Sequence, residues 1–120
     1  MDDTATIDYA KSVVKKFCDD RDWEQYHNPK DIAIGMVTEA SELLQIFRFK
    51  TPDQAREIVA DPARRGDVCD ELSDVFYCVL RFAQLNGIDL ITALEEKIRK
   101  NEEKYPAALV RGQNKKYDEY

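Results

Sequence analysis

A chain of 120 residues with 43% hydrophobic residues has the composition of one globular domain with a modest core. Its net charge of −6 argues against a nucleic-acid polymer as partner, because phosphate contacts require a basic face. The three cysteines have no CxxC spacing and give no disulfide framework. No signal peptide and no membrane-spanning run is expected, so we predict a cytoplasmic protein with no membrane partner.

Hydrophobic residues recur at helical spacing in four long segments and alternate convincingly nowhere, which predicts an all-α fold. The first helix is expected from about Thr4 to Asp20. An ordered loop with a short helical turn follows, from Asp19 to Pro29. The second helix is predicted to begin near Pro29, since Asn28-Pro29 is a stop and start signal, and to end before Thr51-Pro52.

The polar segment after the second helix can hold one short helix between Pro52 and Ala60. The third long helix is predicted from about Ala63 to Asn86, where Asn86-Gly87 is a suitable C-terminal cap. The fourth is predicted from roughly Leu90 to Lys104, and Tyr105-Pro106 closes it. These elements form a predicted helical domain of residues 1–106, and residues 107–120, which show no clear period, are expected to form an extended tail.

Two pairs of acidic residues begin hydrophobic runs: Glu39 with Glu42, and Glu71 with Asp74. Residues three apart are neighbours on one helical face, so each pair projects together. Glu71 falls inside the apolar stripe of its helix, and Glu39 lies at the edge of its apolar arc, one turn after Gly35. Most helical acids are solvated and a single ExxE is common, but a carboxylate forced toward a core must be neutralised, protonated or paired.

Few basic residues share the faces of these acids, which leaves a metal ion as a candidate partner. Four carboxylates from two packed helices offer the oxygen ligands that Mg²⁺ prefers, and Mn²⁺ accepts the same ligand type. Zinc and di-iron sites usually include histidine, and His27 is the only one in the chain. The pattern therefore favours a Mg²⁺ site.

Several motifs in one order resemble the all-α nucleoside triphosphate pyrophosphohydrolases of the MazG type, and within them the dCTP pyrophosphatases. The family's loop and its entry into the second helix match RDWEQYHNPKDIAI, residues 21–34. Its metal motif ExxE…ExxD matches the two acid pairs. Its closing motif KxxxNxx(R/K)YP matches KIRKNEEKYP, residues 97–106, and the tail VRGQNKKY also resembles the end of the dCTP pyrophosphatases.

The resemblance implies a four-helix MazG-like bundle that is completed by oligomerisation into a dimer or tetramer. It implies an enzyme that cleaves a dNTP, dCTP or a modified relative first, to dNMP and pyrophosphate and so cleanses the nucleotide pool. The catalytic residues and Mg²⁺ ligands would be Glu39, Glu42, Glu71 and Asp74. The substrate-binding residues implied by the resemblance are Trp23, His27, Phe49, Lys97, Asn101, Lys104, Tyr105, Lys116 and Tyr117.

The chain departs from the dCTP pyrophosphatases around the expected nucleobase pocket. The second helix of that type typically ends FQW, whereas here the stretch is Phe47-Arg48-Phe49. A tyrosine that often follows the metal-binding aspartate by four residues is replaced by Cys78, and a third glutamate is replaced by Gln45. These changes bear on the nucleotide preference more than on the metal chemistry, and they favour a larger or more permissive pocket.

Two other functions stay open at this point. The chain could be a non-catalytic helical interaction module, although four carboxylates at core-facing positions would destabilise such a module without a metal. It could also resemble the pyrophosphohydrolases that act on phosphoribosyl-ATP, but the aromatic loop RDWEQYH fits the dCTP type better. Trp23 could be a loop anchor and His27 a capping residue, which are the commoner roles of such side chains.

Overall fold

The computed structural model describes all 120 residues and contains helices but no strands, so the predicted all-α class is confirmed. A turn of 3₁₀ helix lies at Glu24–Tyr26, within the predicted loop, and a second one lies at Tyr117–Glu119. The α-helices are α1 (Ile7–Asp19), α2 (Pro29–Phe47), α3 (Pro52–Ala60), α4 (Arg65–Leu85), α5 (Leu90–Lys104) and α6 (Ala107–Val110).

Side-chain caps determine where the helices begin. The hydroxyl of Thr6 accepts a hydrogen bond from the backbone N–H of Tyr9 at 3.0 Å, and α1 therefore begins at Ile7 and not at Thr4 as predicted. The side chain of Asn28 accepts from the N–H of Asp31 at 2.9 Å. Since proline at the first helical position needs no partner for an N–H, this cap fixes the start of α2 at Pro29.

The chain divides into two compact units, Met1–Gly87 and Ile88–Tyr120. In the first unit α4 is the central helix, and it packs against α2, α1 and α3, most extensively against α2. The core of this unit is small because few side chains are fully buried, and one of them is charged. The buried residues are Val14, Cys18, Ile32, Ile58, Cys78, Leu80, Arg81 and Ala83.

In the second unit, α5 is followed by α6 and a folded-back end of the chain. The ring of Tyr105 meets those of Tyr117 and Tyr120 edge to face, each with 6.3 Å between centroids. The tail is thus not wholly extended, contrary to our expectation. The sequence did not reveal α6, because a four-residue helix is too short to show a hydrophobic period. All helices of the chain are too short or too polar to cross a lipid bilayer.

Candidate metal centre

Four carboxylates converge where α2 packs against α4. Glu39 and Glu42 project from α2, and Glu71 and Asp74 project from α4. One carboxylate oxygen from each side chain lies within 4.8 Å of the other three. The two acid pairs, which have 28 residues between them in the sequence, thus form one cluster of hard oxygen donors, which we call the acid cluster.

The acid cluster is half-buried, and its inner oxygens lack partners. Glu39 and Glu71 are half-buried, whereas Glu42 and Asp74 are exposed. The Oε2 atoms of Glu39 and Glu71 are buried without any hydrogen-bond partner. No lysine or arginine forms an ion pair with any of the four carboxylates. Buried carboxylate oxygens without a donor or a cation are costly, so the cluster is arranged for a ligand that the chain does not supply.

The environment of the acid cluster raises the pKa of its two inner carboxyls when no cation is bound. Desolvation raises the pKa of Glu39, and the neighbouring carboxylate of Glu42 raises it further, as do the charges of Asp74 and Glu71. Desolvation and the same Glu42 carboxylate raise the pKa of Glu71. A divalent cation offsets the desolvation and cancels the repulsion between the carboxylates, because it coordinates their oxygens. An all-oxygen donor set with unpartnered inner oxygens therefore fits Mg²⁺ or Mn²⁺.

Gly35 and Cys78 form the helix contact next to the acid cluster. A Cβ atom at Gly35 would lie 3.4 Å from the sulfur of Cys78, an ordinary contact distance, so this glycine faces the thiol. The thiol is buried. Burial raises the pKa of Cys78, and the charges of Glu39 and Asp74 raise it further, so the thiol stays protonated and serves as a small packing group.

The predicted aromatic loop lies between α1 and α2, and its Trp23 packs on α1, which in turn contacts α4. Trp23 meets Phe17 of α1 edge to face at 5.5 Å between centroids, and Phe17 meets Tyr77 of α4 in the same way at 6.1 Å. The Trp23 side chain is 39% exposed, so one part of it anchors the loop and the rest is open to solvent. The side chain therefore combines the anchoring role that we considered with an accessible aromatic surface.

His27, the last residue of this loop before the cap of α2, is held by a buried arginine. The Nε–H group of Arg81 donates a hydrogen bond to His27 Nδ1 at 2.9 Å. Arg81 is 1% exposed and was not among the residues predicted from the sequence. One signal was available there: Arg81 lies seven residues after Asp74, and therefore on the same face of α4 two turns further on.

Phe49 follows the end of α2 in an unusual backbone conformation. Its φ is 63°, in the left-handed region that non-glycine residues rarely adopt. The ring is 89% exposed, and the guanidinium of Arg48 lies 4.6 Å from its centroid. An aromatic ring presented to solvent in a strained conformation is available for stacking on a planar ligand.

The remaining predicted substrate residues belong to the second unit. Lys97, Asn101 and Lys104 are spaced by four and three residues in α5 and so share one helical face. The Lys104 ammonium lies 5.1 Å from the centroid of the Tyr117 ring. Since Tyr117 also contacts Tyr105, the structure brings the end of α5 and the end of the tail together within this unit. Lys116 immediately precedes the 3₁₀ turn, and its backbone N–H donates to Glu119 at 2.7 Å.

An all-α fold in which two packed helices bring four carboxylates together has the arrangement with which helix bundles build metal sites. Comparison with known proteins specifies the class further. The family model described as MazG-like family matches residues 34–120, which include the acid cluster and the second unit. The chain therefore belongs to the MazG-like family.

Relatives with assigned names are similar along nearly the whole chain. Human dCTP pyrophosphatase 1 is 32% identical over 114 residues, which are 95% of this chain and 67% of that protein. Bovine dCTP pyrophosphatase 1 is 30% identical over 112 residues, or 93% of this chain and 66% of that protein. The chain thus spans about two thirds of the length of these relatives.

A solved structure shares the fold of this chain. A pyrophosphatase from Archaeoglobus fulgidus superposes with a TM-score of 0.77 and is 34% identical in sequence. The match covers 83% of this chain and 92% of that one. The assignment to a MazG-like, all-α pyrophosphohydrolase type, which the sequence motifs indicated, is confirmed.

Proposed function

We propose that this chain is a nucleotide pyrophosphohydrolase that uses a divalent metal ion to convert a dNTP to dNMP and pyrophosphate. The observation that carries the proposal is the acid cluster, whose four carboxylate oxygens lie within 4.8 Å of one another while two inner oxygens lack partners. Mg²⁺ is the proposed metal and Mn²⁺ the alternative. Relatives named dCTP pyrophosphatase 1 favour dCTP as substrate. We extend the proposal to modified dNTPs and to a role in cleansing the nucleotide pool.

The acid cluster supplies the groups that such a reaction needs. Glu39, Glu42, Glu71 and Asp74 would hold the cation. When bound, the cation neutralises phosphate oxygens and makes a water molecule nucleophilic at neutral pH. Glu42 and Asp74 lie on the exposed side of the cluster, where water and a triphosphate have access. One carboxylate of the cluster accepts the proton of the attacking water, whose oxygen forms a bond to the α-phosphorus while pyrophosphate leaves.

The residues around the proposed base pocket favour a permissive substrate range. Trp23, His27 and Phe49 are proposed to contact the nucleobase, and the first and third present open aromatic surface. Cys78 has a smaller side chain than the tyrosine that often occupies its position in the family, and Phe49 is smaller than tryptophan. A pocket with smaller walls accommodates a substituent on the base, so a modified dNTP is a suitable substrate alongside dCTP. Lys97, Asn101, Lys104, Tyr105, Lys116 and Tyr117 are proposed to contact the phosphates and the sugar.

Exposed apolar faces support assembly into a dimer or tetramer. On α2, Ile34, Val37 and Leu44 are 56%, 72% and 59% exposed and lie within one sector of the helix. On α4, Leu72 and Phe76 are 55% and 46% exposed and lie one turn apart. An isolated chain with so small a core would leave these stripes in water, whereas a second copy would bury them.

The function is tested by pyrophosphate release from a panel of canonical and modified dNTPs in the presence of Mg²⁺. Activity on one or a few nucleotides, abolished by EDTA and by Glu71→Gln, is the expected result. Glu57→Gln on the exposed side of α3 is the matched control, because it removes the same charge from the same unit outside the acid cluster. No release from any nucleotide by the folded, Mg²⁺-supplemented protein would overturn the proposal.

A further inference from the structure

The Arg81 side chain is buried without an acidic partner, which is an unusual position for a permanent charge. It is 1% exposed, forms no ion pair, and its Nη2 group has no hydrogen-bond acceptor. Its two hydrogen bonds go to His27 Nδ1 at 2.9 Å and to Gln84 Oε1 at 2.5 Å. A buried guanidinium that is only partly satisfied does not stabilise a core, and apolar side chains of similar volume often replace such groups without loss. The arrangement therefore calls for a role other than stability.

The hydrogen bond from Arg81 determines which nitrogen of His27 carries the proton. A guanidinium can only donate, because it is always protonated, so Nδ1 must be the nitrogen with the free lone pair. The neutral ring then carries its proton on Nε2. Burial lowers the pKa of His27, and the charge of Arg81 lowers it further against a smaller opposing effect of Glu24, so the neutral form is favoured at pH 7.

The free face of His27 is therefore a hydrogen-bond donor and not a base. Its Nε2–H makes no hydrogen bond within the chain, and the ring is half-buried at the end of the same loop as Trp23. Arg81 and Asp74 lie on one face of α4, two turns or about 10.5 Å apart along the helix axis. A nucleotide whose phosphates are held at the acid cluster has its base at a comparable distance from them.

We propose that Arg81 is a positioning residue that holds His27 as the Nε2–H tautomer, so that the loop offers a hydrogen-bond donor to an acceptor atom of the nucleobase. The proposal rests on the nucleotide function proposed above. The acceptor class comprises the ring nitrogen and carbonyl oxygens on the pairing edge of a pyrimidine. A donor-only contact disfavours bases that present a donor at the contacted position, and the proposed role of His27 is thus recognition and not proton transfer.

NMR spectroscopy of the ring nitrogens tests the first half of the proposal without any activity. Since His27 is the only histidine, the ¹⁵N signals of the uniformly labelled, nucleotide-free chain need no assignment. We expect one tautomer, with an unprotonated Nδ1, in the wild-type chain and in Gln84→Met, which removes the other hydrogen bond of Arg81. We expect mixed tautomers in Arg81→Met. An unchanged ¹⁵N pattern in Arg81→Met would overturn the proposal.

Steady-state kinetics on the best dNTP tests the second half. Arg81→Met is expected to raise KM between about twofold and tenfold, the worth of one neutral hydrogen bond, with kcat within about twofold of wild type. Arg81→Lys keeps a charged donor on a long stem and is expected to retain the single tautomer and most of the wild-type KM. Equal effects of the two substitutions, or an unchanged KM in Arg81→Met despite a changed tautomer, would refute the positioning role.

The two experiments also separate this proposal from the proposed function. A wild-type chain that neither hydrolyses any dNTP nor shifts its His27 signals on titration with dCMP would overturn both the nucleotide function and the recognition role. A wild-type chain that hydrolyses dNTPs, while Arg81→Met does so with unchanged KM, would overturn the role of Arg81 alone. Circular dichroism confirms folding in each case. If Arg81→Met does not fold, the wild-type ¹⁵N pattern alone decides, because a His27 ring protonated mainly on Nδ1 would overturn the proposal.

Discussion

Glu71→Gln is expected to stabilise the metal-free protein at neutral pH and to abolish its stabilisation by Mg²⁺. Glutamine has nearly the same volume as glutamate, so the packing of α4 on α2 is preserved. The substitution removes one of four carboxylates that repel one another, including an oxygen that is buried without a partner. Since the native site disfavours the charged form of Glu71, its neutral isostere relieves that cost in the absence of a cation.

The pH dependence of this effect has a definite sign. A carboxyl whose pKa is raised on folding binds its proton more tightly in the native state than in the unfolded state. Its contribution to stability is complete below the ordinary pKa of 4.5 and is lost as the pH rises through the raised native pKa. The stability advantage of Glu71→Gln over wild type should therefore be largest at neutral pH and should shrink as the pH falls toward 4.5.

In the presence of Mg²⁺, wild type is expected to have a higher Tm than Glu71→Gln. A ligand present at a hundredfold excess over its Kd stabilises the native state by about 2.7 kcal/mol. For the first unit, Met1–Gly87, this corresponds to a rise in Tm of about 15 °C at the usual unfolding entropy per residue. Glu71→Gln lacks one charged ligand oxygen, so its Tm should rise by much less at the same Mg²⁺ concentration.

Thermal unfolding followed by circular dichroism, with EDTA or with a Mg²⁺ titration, measures both effects. Glu57→Gln should behave like wild type in both conditions, because its side chain is exposed and lies outside the acid cluster. A lower Tm for Glu71→Gln than for wild type in EDTA at neutral pH would refute the argument from buried charge. Equal Mg²⁺ shifts in wild type and variant would refute the assignment of Glu71 as a ligand.

Four further substitutions, in three experiments, test the surroundings of the site. Gly35→Ala should raise Tm by about 5 °C, because alanine in a helix is favoured over glycine by about 0.8–1.0 kcal/mol. The added methyl would lie 3.4 Å from the Cys78 sulfur, an ordinary contact distance, and a lower Tm would contradict that contact. Phe49→Gly should raise KM for the nucleotide, because it removes the ring proposed to stack on the base. It should also increase the unfolding free energy by up to about 1 kcal/mol, since it relieves a left-handed φ of 63° and removes a ring that is 89% exposed. A less stable variant would show that the ring is packed. Two single variants, Leu72→Lys and Phe76→Lys, should each lower the molecular mass measured by light scattering to that of a monomer. An unchanged mass in both variants would exclude this face of α4 from the interface.

Helix positions were predictable because each depends on residues close in sequence. The predicted bounds of α5, Leu90–Lys104, agree with the structure, since Asp89 caps its start and Pro106 follows its end. α3 was also predicted within its observed bounds, because Thr51 and Pro52 form a local start signal. The three-residue spacing within each acid pair likewise follows from helical geometry alone.

The features that the sequence did not reveal depend on contacts between distant segments or on single backbone angles. Arg81 and His27 are 54 residues apart, and no local pattern links an arginine in an apolar run to a loop histidine. The left-handed conformation of Phe49 has no signal, because glycine or asparagine is the usual residue there. The early end of α2 at Phe47, two residues before the ring expected to contact the base, belongs to the same irregularity.

The places where the chain is least optimised for stability coincide with the proposed substrate path. Two inner carboxylate oxygens and one guanidinium nitrogen are buried without partners, and one aromatic ring is exposed on a strained backbone. The unpartnered buried groups and the strained backbone each lower the stability of the free chain. The carboxylate oxygens become favourable once a cation occupies the acid cluster, and the Phe49 ring gains a contact once a base stacks on it, because the ligand then supplies the missing charge and the missing surface. A non-catalytic bundle would gain nothing from burying the unpartnered groups of Glu71 and Arg81, of opposite sign, on one helix, and so their presence on α4 argues for a ligand-binding site.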